Sequence, residues 1–335
     1  MLNKWFHRPA DEIAVSSRVR LARNVEGFPF PGRMSAEQQK ELLSRAREAL
    51  EALPALNFSC TDGTAAPGRL AALAESHLIS PEFAASEAVR AVFLSEDESV
   101  SVMVNEEDHL RLQVLGAGNC LSECLATADK LDDALCERLR FSFDERLGYL
   151  THCPTNLGTG LRASVMLHLP ALTESGGIRA LENNAAKMGI AIRGFFGEGS
   201  EATGALYQVS NQVSLGMNEK EIVRRVSDVV EQIIREEKRL RAESLSADRG
   251  ALTDRTQRAV GTLRYAYRVS SAEAMELLSD LRLGRSLGLT DELSCEKIAE
   301  LYRAIMPSVL DEAGKMTPSE RDEARAKLLR TAFEQ

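Results

Sequence analysis

"EIAVSSRVRLARN", residues 12–24, is rich in apolar and β-branched residues and reads as a β-strand. Arg18 and Arg20 stand two apart in it and therefore share one face. Immediately downstream, "MSAEQQKELLSRAREALEAL" changes the period: apolar positions recur at three and four, and Ser35 with Gln38 makes a capping box. That stretch is a helix, so the chain opens with a strand and a helix.

Working outward, residues 60–70, "CTDGTAAPGRL", read as a loop or turn. "ESVSVMVNEEDHLRLQVLG", 98–116, alternates on both sides of an acidic centre and predicts two strand arms. "RFSFDERLGYLTHC" adds more strand, and "GIAIRGFFGEG" with "ALYQVSNQVSLG" predicts an antiparallel pair. From Asn218 the texture changes: Ile222, Val226, Val229, Ile233 and Leu240 fall near one face of a long charged helix. After "SLSADRG" the pattern is almost wholly helical, ending in a stretch where Thr317, Pro318 and Glu320 make a capping box with proline at the first helical position. The reading is an α+β fold in two domains. Residues 1–245 form an antiparallel sheet flanked by helices, and 246–335 form a small all-helical domain.

Composition narrows the function. The 335 residues are 44% hydrophobic, enough for a buried core, and the formal net charge of −9 gives no global reason to expect nucleic acid or an anionic membrane as partner. Any anion site must be a local cluster. Six cysteines without a CxxC fit reduced thiols, and Cys120 with Cys124 has only helical spacing and no histidine pair for zinc. The start carries charges throughout and no run approaches the ~18 apolar residues of a membrane span, so the expectation is a cytoplasmic protein.

No GxxxxGK[ST] is present, which argues against a P-loop. "GEGSEA", 197–202, fits GxGxxA, yet no acidic residue or helix follows as a dinucleotide fold requires. Arginines are more telling: Arg18, Arg20, Arg111, Arg162 and Arg193 fall in or beside the predicted strands. Guanidinium forks bind phosphate oxygens bidentately and stay charged, so converging arginines can cradle a triphosphate without a P-loop. Taken singly, each also reads as a surface or salt-bridged arginine. Glu106, Glu107, Asp108 and Glu198 could bind a cation, act as bases or pair with those arginines, and Cys153 has the bland reading of a small buried hydrophobe.

"SSRVRLARN", "NEEDHLR", "CPTNLGTGLRAS" and "RGFFGE" followed by "YQVSNQVSLG" together resemble the phosphagen (guanidino) kinase family, in the same order, over roughly residues 12–220. The resemblance implies Mg-ATP-dependent phosphorylation of a guanidinium nitrogen. By matching positions it implies that Arg18, Arg20, Arg111, Arg162 and Arg193 clamp the ATP phosphates. Ser16, Ser17, Val19, Ala163, Ser164, Val165, Met166, Gly194 and Gly197 would surround the nucleotide, and His77 of "ESHLISP" would lie on its side. Mg2+ would arrive on ATP, with no direct protein ligand. Glu107 and Glu198 would hold the acceptor and help deprotonate it, while Cys153, as a thiolate favoured by nearby cations, would grip its other edge. The chemistry suits those roles, because a guanidinium with a pKa above ~12 is a poor nucleophile until carboxylates orient it and take its proton.

Small-molecule members of the family carry a helical N-terminal domain whose loop closes over free arginine or creatine. Here "SSRVR" begins at residue 16, which leaves no room for it, and the helical segment from 245 onward is foreign to them. The combination resembles the bacterial protein-arginine kinases. "RDEARA", 321–326, matches the RDxxRA motif by which that branch binds phosphoarginine, through Arg321, Asp322, Arg325 and Ala326. Read as a helix, the motif makes Arg321 and Arg325 i, i+4 neighbours, two guanidiniums for one phosphoryl group, with Asp322 on an adjacent face for the ligand's own guanidinium. The branch further implies protein substrates with exposed arginines, marking for a AAA+ unfoldase and its protease, a zinc-binding activator protein, and a homodimer. A small-molecule arginine or creatine-type kinase is the alternative, and an inactive phosphoarginine reader is a third.

Overall fold

The computed structural model describes residues 11–194 and 203–334. The strands among them are β1 (Ala14–Arg23), β2 (Ser59–Asp62), β3 (Ala91–Leu94), β4 (Val100–Val104), β5 (Leu110–Ala117), β6 (Phe143–Asp144), β7 (Gly148–Tyr149), β8 (Leu161–His168), β9 (Ile190–Gly194) and β10 (Leu206–Asn211). The helices that run between and beside them are α1 (Ala36–Glu51), α2 (Pro67–Glu75), α3 (Pro81–Ala85), α4 (Leu121–Cys136), α5 (Pro170–Glu174), α6 (Ile178–Lys187) and α7 (Glu219–Ala247). Five more follow: α8 (Arg249–Tyr265), α9 (Ser271–Ser286), α10 (Cys295–Ala304), α11 (Pro307–Leu310) and α12 (Pro318–Ala332). Among the described residues eight strands form one sheet in the order β2-β3-β4-β5-β1-β8-β10-β9, each neighbouring pair antiparallel. The α+β class is as expected.

β1 is central because both of its faces have work to do. Val19 and Leu21 turn to a core shared with Leu42 and Leu50 of α1, Leu125 and Leu131 of α4, and Val226 and Ile233 of α7. Losing one such buried side chain costs about 2–5 kcal/mol, so this face is a stiff platform. Ser16, Arg18 and Arg20 alternate onto the other face. That face is covered at one side by α2 and α3 through Leu73, Leu78 and Phe83, and at another by the C-terminal helices, which pack on Val15, Ala117, Met166 and Leu206. The arginines occupy the gap between these two covers.

Local signals set most element ends. The capping boxes of α1 and α12 form as read, and Asn218 with Glu221 makes a third at the start of α7. Two expectations are corrected. The segment 60–70 is not all loop: β2 occupies Ser59–Asp62 as an edge strand and Pro67 opens α2, where its missing N–H is harmless. β2 is mostly exposed and lacks apolar alternation, which hid it. Conversely, 140–153 supplies only the two-residue hairpin β6–β7 outside the large sheet, because Asp144 Oδ1 accepts from the Arg146 and Leu147 amides and forces a tight turn.

α7 runs unbroken through residue 245 to Ala247, and Asp248 caps α8 directly after it. Late in α7, Glu237 and Arg241 form a buried pair, with Glu237 also accepting the Ala171 and Leu172 amides at the start of α5. Arg282 of α9 donates to the carbonyls of Asp11, Glu12 and Cys295. The helices are thus hydrogen-bonded to the sheet as well as packed on it. Among the described residues no helix is long and apolar enough to cross a membrane.

Candidate active site

Register brings the arginines together. Arg20 lies opposite Arg162 and Arg18 opposite Ser164 across the β1–β8 pairing, so all four side chains share the open face. Arg111 enters from β5, where it opposes Ala22. Arg193 of β9 stands opposite Gln208 of β10, and Gln208 Oε1 accepts from Arg18 Nη2 at 3.0 Å. Arg162 Nη2 donates to Ser210 Oγ at 3.2 Å.

These cations repel one another. Burial, then Arg162 and Arg111, bring the Arg18 pKa down to about 10, and burial with Arg111, Arg18 and Arg162 lowers Arg20, against a smaller pull from Glu106. Glu106 itself is held by Arg111 at 2.7 Å and by Ser80 Oγ at 2.7 Å. Among the described residues Glu106 pairs with Arg111 inside this cluster, and guanidiniums gathered on one face suit a polyanion.

Toward Val15 the face becomes a cleft, apolar at Leu115, Met166 and Leu206. His77 lines it with a backbone φ of +58°, and its carbonyl accepts from Gln113 Nε2 at 2.7 Å. Burial, reinforced by Arg18 and Arg303, lowers the His77 pKa to about 4, so the imidazole is neutral near pH 7. A half-apolar cleft beside an array of cations fits a nucleoside polyphosphate, base at one end and phosphates at the other.

At the opposite end, Glu107 sits in the turn between β4 and β5. Asn105 takes φ +62° there and its side chain donates to the carbonyls of Gln39 and Val89. Burial, then Asp108, raise the Glu107 pKa, with Arg111 opposing. Cys153 opens the single turn Pro154–Asn156, its Sγ 3.0 Å from Thr155 Oγ1. Gly160 is required beyond it: φ is +66° and a Cβ would lie 2.6 Å from the Ala22 carbonyl, so the loop passes hard against β1.

The link between the two loops was missed in the sequence. Asp108 Oδ1 accepts from the His152 amide at 2.7 Å and from Asn24 Nδ2 at 2.6 Å. Asp108 follows Glu107 and His152 precedes Cys153, so this buried carboxylate ties the Glu107 and Cys153 loops to a common frame. Three neighbouring acids, Glu106, Glu107 and Asp108, look alike in sequence; their surroundings divide them into an ion pair with Arg111, a half-open acid and a strut.

Strand alternation divides the motif residues between the two faces of the sheet. Ser17, Val19, Ala163 and Val165 turn to the core face, and Ser17 is spent joining β1 to α4, donating to the Gly118 carbonyl and accepting from the Cys120 amide. A contiguous motif covers both faces of its strand; Ser16, Arg18, Arg20, Arg162, Ser164 and Met166 are the members on the site's face. Arg23 is also structural, bonded to Asp132 and stacked 3.5 Å over Tyr149. Gly194 ends β9, buried, while Gly197 and Glu198 lie outside the described residues.

The motif at 321–326 differs from its helical-wheel reading. Arg325 points inward, giving Nε to the Ile305 carbonyl at 2.8 Å and Nη1 to the Val269 carbonyl and to Asp322. Arg321 turns back to the Met316 carbonyl, and Ala326 is core. Asp322 is the partner of Arg325 and does not stand apart from it on an adjacent face.

Residues 42–240 match the family described as ATP:guanido phosphotransferase, C-terminal catalytic domain, and 249–335 match the one described as protein-arginine kinase McsB C-terminal domain. A protein-arginine kinase of Symbiobacterium thermophilum is 44% identical over 331 residues, covering 96% of this chain and 93% of its own. One from Moorella thermoacetica is 44% identical over 338 residues, covering 98% and 96%. Among solved structures, the duplicated taurocyamine kinase of Schistosoma mansoni with bound transition state analog components has a TM-score of 0.60 at 30% identity, over 67% of this chain and 33% of that one. A lombricine kinase has a TM-score of 0.62 at 25% identity, over 70% and 69%.

Sheet, arginine array and sequence match define a phosphotransferase: the chain belongs to the ATP:guanido phosphotransferase family. Within it, the near full-length relatives and the C-terminal match place it among the protein-arginine kinases.

Proposed function

We propose that this chain transfers the γ-phosphoryl group of Mg-ATP to a guanidinium nitrogen of arginine side chains in proteins. The observation that carries the reading is the crowding of Arg18, Arg20, Arg111 and Arg162 between an apolar cleft and the Glu107–Cys153 end. The base lies in the cleft beside neutral His77, and the triphosphate crosses the arginines, with Arg193 in the same row. Mg2+ on the phosphate oxygens neutralises charge developing on the leaving group.

At the far end Glu107, with Glu198, orients the acceptor guanidinium and accepts its proton. As the nitrogen attacks phosphorus, the bond from phosphorus to the ADP oxygen breaks. Cys153 holds the other edge of the acceptor, and Asp108 keeps Glu107 and Cys153 in register. Positioning and fixed charge do most of this work, because phosphoryl transfer asks little covalent chemistry of the protein.

The reading extends to regulation on family resemblance. Residues 1–245 act as the catalytic unit and 246–335 as a helical unit whose Arg321, Asp322 and Arg325 bind phosphoarginine, with Arg325 Nη2 the donor its buried bonds leave over. The modified proteins are marked in the cytoplasm for a AAA+ unfoldase and its protease, a zinc-binding protein activates the kinase, and the kinase is a homodimer.

Acid-free mass spectrometry tests the core claim, since the P–N bond is acid-labile. An unfolded protein incubated with this chain and Mg-ATP, with free arginine competing, acquires phosphoarginine on the protein. Label on free arginine alone would return the chain to the small-molecule kinases.

A further inference from the structure

The nucleotide cleft is not closed by the sheet alone. Its outer wall is one face of α10, where Ala299, Tyr302 and Arg303 recur at three and four residues and stand across from His77 and Leu206. α10 belongs to the C-terminal helices, whose core includes Val15 and Met166 of the sheet, so wall and floor are one packed unit.

Two polar groups on this wall are left unsatisfied. Tyr302 is 3% exposed and its buried hydroxyl has no hydrogen-bond partner among the described residues. Arg303 reaches Glu98 only at 3.4 Å, and its Nε is buried without a partner. An unpaired buried hydroxyl or N–H is costly, and buried tyrosine hydroxyls normally find a partner. Such groups persist where a ligand completes them.

We propose that α10 is the base-binding wall of the nucleotide site: Tyr302 packs its ring against the purine, and the Tyr302 hydroxyl and Arg303 guanidinium engage the base's polar edge and face. The aromatic ring and the planar cation suit a flat heterocycle with hydrogen-bonding edges. The helical region is then part of the nucleotide site, and nucleotide affinity divides between two regions, phosphates on the sheet and base on α10.

This inference rests on the nucleotide reading above, and the experiment separates the two. Wild type, Tyr302→Phe and Arg303→Gln are titrated calorimetrically with Mg-ATP and with inorganic tripolyphosphate, each first checked by thermal melt. Both variants are expected to bind Mg-ATP about 5- to 30-fold more weakly while keeping wild-type affinity for tripolyphosphate. Unchanged ATP affinity in both folded variants would overturn the wall. An equal loss for ATP and tripolyphosphate would also overturn it, by moving the effect to the arginine array. A wild type that binds neither ligand would instead remove the nucleotide reading on which the wall depends.

Discussion

Two sets of arginines in this chain are separated by what surrounds them. At the joints of the fold, Arg23, Arg241, Arg282 and Arg325 are nearly solvent-free, and each meets carboxylates or carbonyls that use its fork: Asp132 for Arg23, Glu237 and the His168 carbonyl for Arg241, three carbonyls for Arg282, two carbonyls and Asp322 for Arg325. Along β1 and its neighbours, Arg18, Arg20, Arg111 and Arg162 share one face and lower one another's pKa, Arg18 donating to Gln208, Arg162 to Ser210 and Arg111 to Glu106. Burial alone does not distinguish a structural arginine from a ligand-binding one. Surroundings do: at the joints the forks are spent on carbonyls and carboxylates, while along β1 and its neighbours the guanidiniums stand among other cations.

The sharpest way to break that division is Arg20→Ala. Removing a phosphate-clamping arginine lowers kcat/KM for protein phosphorylation by about 10³–10⁵. The unliganded protein becomes more stable, by about 0.5–2 kcal/mol, because a repelling charge is gone. Activity assay and denaturant melt together decide it; a variant that is both inactive and less stable would place Arg20 with the joint arginines.

Arg325→Ala is the converse. It strands the Ile305 and Val269 carbonyls and leaves Asp322 without its partner, so the expected loss is about 3–5 kcal/mol of stability. Loss of phosphoarginine binding in this variant is therefore informative only beside its melt. A wild-type melt with abolished phosphoarginine binding would show that Arg325 serves the proposed ligand and not the fold.

Much of this was legible in sequence where the signal is local. Alternation placed Arg18 and Arg20 on one face, Ser35–Gln38 and Thr317–Glu320 fixed helix starts, and 98–116 read as a hairpin about its acidic tip. Partnership was not legible. Nothing in "RDEARA" tells that Arg325 turns inward to carbonyls 20 and 56 residues away, since helical spacing gives a face and not what the face meets. Asp108 was one acid among three until its bond to the His152 amide, 44 residues on, made it a strut. A motif read as contiguous also hid that Ser17 and Val19 serve the core while Ser16 and Arg18 serve the site.

The smallest effect concerns an anion in the same position as the crowded arginines. Burial and Asp108 raise the Glu107 pKa, so the folded state holds its proton more tightly than the unfolded chain does. Between the ordinary carboxylate value and that raised one, the native state binds more protons; stability contributed by Glu107 therefore falls as pH rises through this window. The proposed catalysis runs the other way, because as the base Glu107 would have to be ionised to accept the guanidinium proton. The acid limb of kcat/KM, which reports the free enzyme, is thus expected above the usual carboxylate range, while Glu107→Gln flattens the stability slope over the same interval. A limb at the ordinary value, with an unchanged slope in Glu107→Gln, would show that Glu107 is not strained. The acceptor end would then differ from the phosphate end, where the unliganded site stores repulsion that its substrate relieves.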